Sequence, residues 1–266
     1  MSIRKDVVAG QFYPASQDEI VKMFIHYNEI IDNAIEDKSI LTLKPRAIIV
    51  PHAGYIYSAF TANIAFRLLK NTDAKRVIVI GPSHRVYVES TSVSLFDAFE
   101  TPLGDLKIDK SLANEMIEEF GLRFQRDAHA EHSTEVQMPF IKYYLPNASV
   151  VEFVYGNEKP IRLSKVINYL LEDKDTVVVI STDLSHYYDI QKANKLDSIC
   201  LDAVVRLNPQ ELHEGCEACG KIGVEAILLA AKARGLSPTL LDYRTSADAS
   251  GDKSQVVGYM SAAFME

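Results

Sequence analysis

The sequence predicts a single α/β domain, with a central parallel or mixed sheet flanked by helices. Three observations carry that expectation. The chain has 266 residues, an ordinary size for one such domain. Short apolar runs rich in β-branched residues alternate with segments of helical periodicity, as they do when helices cover both faces of a sheet. No low-complexity linker, repeat or long charge run divides the chain, so residues 1–266 read as one domain.

The elements follow in order. Residues 17–35 place Ile20, Phe24, Tyr27, Ile31 and Ala34 on one face, which is helical spacing. Similar periodicity predicts helices near 58–70, 111–120, 161–172, 190–206 and 222–234. The apolar runs Ala47–Val50, Val77–Ile80, Val150–Val154, Val177–Ile180, Thr239–Tyr243 and Val256–Ala262 read as strands. Continuous runs of that length suit strands covered on both faces.

Composition narrows the class. Hydrophobic residues make up 47% and charged residues 24%, the balance of a packed globular domain. The formal net charge of −8 argues against a nucleic-acid partner, which needs a basic face. No run approaches the roughly 18 apolar residues of a membrane span, and the first residues lack the apolar core of a secretory signal. Three cysteines, Cys200, Cys216 and Cys219, do not suggest a disulfide framework. These readings together point to the cytoplasm.

Three strands end alike. RAIIV runs into Pro51-His52, RVIVI into Gly81-Pro82-Ser83-His84, and TVVVI into Ser181-Thr182-Asp183-Leu184-Ser185-His186. Open α/β sheets bind ligands beyond the carboxyl ends of their strands. If the three strands are parallel, His52, His84 and His186 lie along one edge and can converge. Pro51 and the Gly81-Pro82 pair stiffen two of these exits. Asp183 can orient His186, bind substrate, or cap the following helix.

A fourth segment, Glu131-His132-Ser133-Thr134-Glu135, places His132 and Glu135 on one face if helical. The pair reads either as a carboxylate orienting an imidazole or as a satisfied surface pair. His129 lies nearby, and nothing local singles it out. Imidazole suits iron, zinc or copper, and two histidines with one carboxylate suit non-haem Fe(II). The polar loop 245–252 offers Asp248 and Asp252 as carboxylates, or forms a solvated turn. Cys216-Glu217-Ala218-Cys219 is a lone C-x-x-C with no second ligand pair in sight.

Eight ordered stretches carry a resemblance along nearly the whole chain: VAGQFYP (8–14), VPHAGYIYS (50–58), IGPSH (80–84), TPLGDLKID (101–109), EHSTEVQMPF (131–140), STDLSHY (181–187), ACG (218–220) and TSADASGDKSQVVGY (245–259). On these the sequence resembles the Memo family, relatives of the catalytic subunit of class III extradiol dioxygenases. The resemblance implies a dioxygenase-like α/β fold with a central mixed sheet. It implies His52 and His84 as metal ligands and His186 as the base, with Asp183 and His132 in support. Animal members place a cysteine third at the metal. Here the corresponding loop, SADASGD, has none, and Asp248 is the candidate third ligand.

The resemblance further implies Fe(II), with copper or zinc as alternatives, and AMMECR-type and radical SAM proteins as partners. Three functions stay open. One is a metal-dependent oxidoreductase of unknown substrate. Another is a binding or signalling module for anionic small molecules or peptides. The third is a zinc-dependent hydrolase.

Overall fold

The computed structural model describes residues 2–266. Its strands are β1 (Ile3–Arg4), β2 (Ala47–Val50), β3 (Arg76–Pro82), β4 (Thr91–Val93), β5 (Ala98–Phe99), β6 (Leu106–Lys107), β7 (Ser149–Tyr155), β8 (Thr176–Ser181), β9 (His186–Tyr188), β10 (Ser237–Thr245) and β11 (Val256–Met265). Its helices are α1 (Gln17–Ala34), α2 (Tyr55–Leu69), α3 (Lys110–Phe120), α4 (His132–Glu135), α5 (Met138–Tyr144), α6 (Pro160–Leu170), α7 (Ile190–Val205), α8 (Lys221–Arg234) and α9 (Ala247–Ser250).

The main sheet has the order β10-β11-β2-β8-β3-β7-β4, with β9 paired to β11. Strands β2, β8, β3 and β7 are mutually parallel. The others join antiparallel, so the sheet is mixed, as expected. A small second sheet joins β1, β5 and β6. None of its strands exceeds two residues, too short to leave a periodicity.

Alternation along the strands divides the core into two layers. Val77 and Val79 of β3, with Val177 and Val179 of β8, face α1, α2 and α5 through Phe24, Phe66 and Phe140. Ile78, Ile80, Val178 and Ile180 face α6, α7 and α8 through Ile167, Val204 and Ile227. All of these side chains are buried, and each stabilises the fold by about 1.5–3 kcal/mol relative to exposure. No helix among the described residues is long and apolar enough to cross a membrane.

One expectation from cysteine usage is corrected. Cys200 on α7 is disulfide-bonded to Cys216 in the loop before α8, and Cys219 is free. The C-x-x-C is therefore split between two tasks, and its two sulfurs are not partners.

Candidate metal centre

Strands β2, β8 and β3 are parallel neighbours in that order. Their carboxyl ends release His52, Asp183–His186 and His84 along one edge of the sheet. Helix α4 enters beside β3, and its first residue is His132. One ring nitrogen from each of His52, His84 and His132 lies within 4.8 Å of the other two.

The environment of each ring leaves one nitrogen free. The Ser181 hydroxyl donates its single proton to the Ser133 carbonyl. At 2.9 Å from Nδ1 of His52 it can only accept, so that Nδ1 carries a proton and Nε2 carries the lone pair. Gln137 donates through Nε2 to both the Pro51 carbonyl and the Ser181 hydroxyl, fixing the same network from the other side. Nδ1 of His84 and Nδ1 of His132 both face Oε1 of Glu131, at 3.3 and 2.8 Å. All three rings therefore offer Nε2, in the tautomer a metal ligand needs.

Glu131 is fully buried. Beyond the two rings, it accepts from the backbone N–H groups of His84, His132 and Ser133. Burial pushes its pKa up. The side chains of His132 and His84 and the His84 N–H overcome that effect, holding the carboxyl far below its usual range. It is a firm carboxylate. His52 is buried, and burial together with the neighbouring His84 and His132 pushes its pKa well down. A neutral imidazole results, its Nε2 lone pair facing the Cys219 thiol at 3.3 Å.

Local sequence makes these approaches possible. A Cβ on Gly81 would stand 2.7 Å from the Ser133 hydroxyl and 2.9 Å from Thr134, so only glycine lets the end of β3 meet α4. Phe12, in the loop before α1, packs on the His132 ring with centroids 4.7 Å apart. Exposed side chains follow each strand exit: Ile56 and Tyr57, Tyr87, and Tyr187. Tyr187 takes φ 63°, a left-handed conformation that costs on the order of 1–3 kcal/mol outside glycine, directly beside His186.

Some expected residues stand elsewhere or do something else. Asp248 lies outside the three-imidazole group. Its carboxylate accepts from the N–H and hydroxyl of Thr245. His132, expected in support, stands among the candidate ligands. Glu135 does not pair with it. Glu135 instead binds Arg4, the N–H groups of Val7 and Val8, and the Tyr13 hydroxyl, anchoring the N-terminal segment.

Asp183 accepts from the His52 backbone N–H at 2.7 Å, tying the β8 exit to the β2 exit. The cap of α7 is Asp189. Burial raises the Asp183 pKa, opposed by the His52 N–H and the charge of His186. His186 follows Asp183 on the same strand exit and opens β9, which pairs with β11. His129 lies outside the three-imidazole group. Its Nε2 is 2.8 Å from the Ser92 hydroxyl and its Nδ1 2.8 Å from Glu152. That line has nucleophile–base–acid spacing, but all three residues are buried, and it braces β4 against β7.

Reasoning from sequence missed Glu131, Ser181, Gln137 and Cys219. Glu131 had a weak local signal, a negative charge at a helix start, where the helix dipole favours it.

The comparisons with known proteins agree along the whole chain. A family profile described as Memo-like protein matches residues 4–263. The chain belongs to the Memo-like family. Among similar relatives, a MEMO1 family protein of Aquifex aeolicus is 34% identical over 281 residues, covering 100% of both chains. One from Archaeoglobus fulgidus is 31% identical, covering 98% of this chain and 99% of the relative. Another, from Thermoplasma volcanium, is 29% identical over 97% of each. The whole domain is thus shared with the Memo-like relatives.

Proposed function

We propose that this Memo-like protein is a metal-dependent oxidoreductase whose ion is held by His52, His84 and His132, with Fe(II) the first candidate. One observation carries the reading: three ring nitrogens lie within 4.8 Å of one another, and every Nδ1 is engaged elsewhere. Neutral imidazoles suit iron, zinc and copper alike. When bound, an iron ion would supply Lewis acidity and one-electron chemistry toward dioxygen.

The chain's own residues do the rest. Ser181 and Glu131 hold the ligand rings in one tautomer and one orientation. Asp183 fixes the His52 backbone. His186 opens its own short strand just beyond the β8 exit, and its imidazole is the candidate general acid or base.

A second reading, zinc-dependent hydrolysis, is favoured by the donor set. Among the described residues the group contains no carboxylate. Three histidines are a known catalytic zinc set, whereas non-haem Fe(II) commonly takes two histidines and a carboxylate.

The test is elemental analysis after anaerobic purification, on the wild type and on His52→Ala/His84→Ala. Stoichiometric iron in the wild type, lost from the variant, supports the oxidoreductase. Zinc in the same pattern moves the function to hydrolysis. No metal in either, with iron and zinc both offered, sinks the metalloenzyme and leaves the cleft as a site for anionic ligands.

A further inference from the structure

A cavity of about 550 Å³ lies between the N-terminal segment and the short turn Arg126–His129, and none of the three candidate metal ligands lines it. That volume suits a small organic molecule. Ile3, Val7, Phe96 and Ala130 supply its apolar wall. Val7 is 39% exposed, so much of this aliphatic side chain is left uncovered.

The walls are held in place before any ligand arrives. The buried Arg4 is fixed by Glu135 and by the carbonyls of His129 and Glu131. His129 is fixed in turn by Ser92 and Glu152.

Charge at the cavity is the deciding feature. Four charged side chains belong to its lining: Arg4, Lys5, Arg126 and Asp127. Two are already neutralised, Arg4 by Glu135 and Lys5 by Glu100. Among the described residues, the consecutive pair Arg126 and Asp127 has no ion-pair partner. The Arg126 guanidinium lies over the Phe96 ring, 4.7 Å from its centroid. Stacking fixes its plane and leaves the in-plane N–H donors for a carboxylate. The Asp127 carboxylate is acceptor-only and suits an ammonium.

We propose that this cavity binds a free α-amino acid with a large apolar side chain. Its carboxylate would pair with Arg126, its ammonium with Asp127, and its side chain would pack on Ile3, Val7 and Phe96. A simple organic anion would meet Asp127 as a like charge, and a simple amine would meet Arg126. A zwitterion satisfies both, because one α-carbon carries both charges. A peptide presents only one of them at either end, which favours the free amino acid. The inference is independent of the metal reading.

Methyl NMR of the full chain, titrated with L-phenylalanine, L-tryptophan and L-leucine, tests this. At least one of the three should shift the Ile3 and Val7 methyl signals saturably. Arg126→Gln and Asp127→Asn, both at exposed positions, should each weaken that binding about tenfold or more, the effect of losing a hydrogen bond to a charged group. The deaminated acid and the decarboxylated amine of the tightest ligand keep one charge each and should bind more weakly than the amino acid itself. A folded His52→Ala/His84→Ala variant should give the same shifts as the wild type. Absence of saturable shifts with all three amino acids overturns the proposal. So does an acid or amine that binds as tightly as its parent, or undiminished binding in both charge variants. Shifts that vanish in the folded His52→Ala/His84→Ala variant overturn it too, by moving the ligand to the metal cleft.

Discussion

His84 and His132 are held by the same oxygen: Oε1 of Glu131 lies 3.3 Å from Nδ1 of the first and 2.8 Å from Nδ1 of the second. A single carboxylate therefore sets the orientation of two candidate ligands that come from different elements. The relation predicts that Glu131→Gln weakens metal binding about 10–100-fold, the usual effect of losing such a partner. An amide has one acceptor oxygen where the carboxylate has two, and it cannot receive both rings and three backbone N–H groups. Competition titration against a chelator measures the loss. Unchanged affinity would mean that the rings are positioned without Glu131.

The identity of the third ligand is decided by a pair of variants. His132→Ala is expected to abolish stoichiometric metal. Asp248→Ala is expected to retain it, because the Asp248 carboxylate is engaged with Thr245. The reverse pattern would return the third position to the 245–252 loop.

The contrast between these residues shows what local sequence can and cannot state. The β2, β3 and β8 runs were legible because three or more consecutive β-branched residues ending in a tight turn leave little else to form. Their helices were legible by period. The order β2-β8-β3 was not, since it inserts the latest strand between two earlier ones and no local feature records that. The 4.8 Å convergence of the histidines depends on this order. Glu131 escaped notice because helical spacing pointed from His132 forward to Glu135, while the working carboxylate is the adjacent residue, acting as the cap of a four-residue helix. Cys219 was hidden by its own motif, because Cys216 bonds a residue sixteen positions earlier.

Close packing at Gly81 yields a third prediction. Gly81→Ala places a methyl group 2.7 Å from the Ser133 hydroxyl, in a fully buried setting that cannot yield freely. The substitution should cost about 1–3 kcal/mol, the usual range for overpacking, as read by urea denaturation. It should also lower metal affinity, because it pushes the His84 exit away from α4. A variant as stable as the wild type, with normal metal affinity, would show that α4 can shift without cost.

The buried pair of His129 and Glu152 gives the acid response of the fold. Burial pushes the Glu152 pKa up, but the charge and hydrogen bond of His129, the charge of Arg4 and the Thr134 hydroxyl together bring it below the ordinary 4.5. A carboxyl depressed in the folded state binds its proton more readily when unfolded. Its stabilising contribution is therefore complete above about 4.5 and declines as pH falls toward the folded value. Glu152→Gln removes the buried charge that faces His129, Arg4 and Thr134, with a cost of about 3–5 kcal/mol expected near neutral pH for breaking a buried charged contact. That cost should shrink as pH drops below 4.5, because the unfolded wild-type carboxyl takes up its proton first and the folded one follows only below its depressed value. Urea denaturation of both proteins across this range measures the difference. A gap that stays constant down to acid unfolding would show that the pair is not ionised in the folded state, and that hydrogen bonding alone holds β4 to β7.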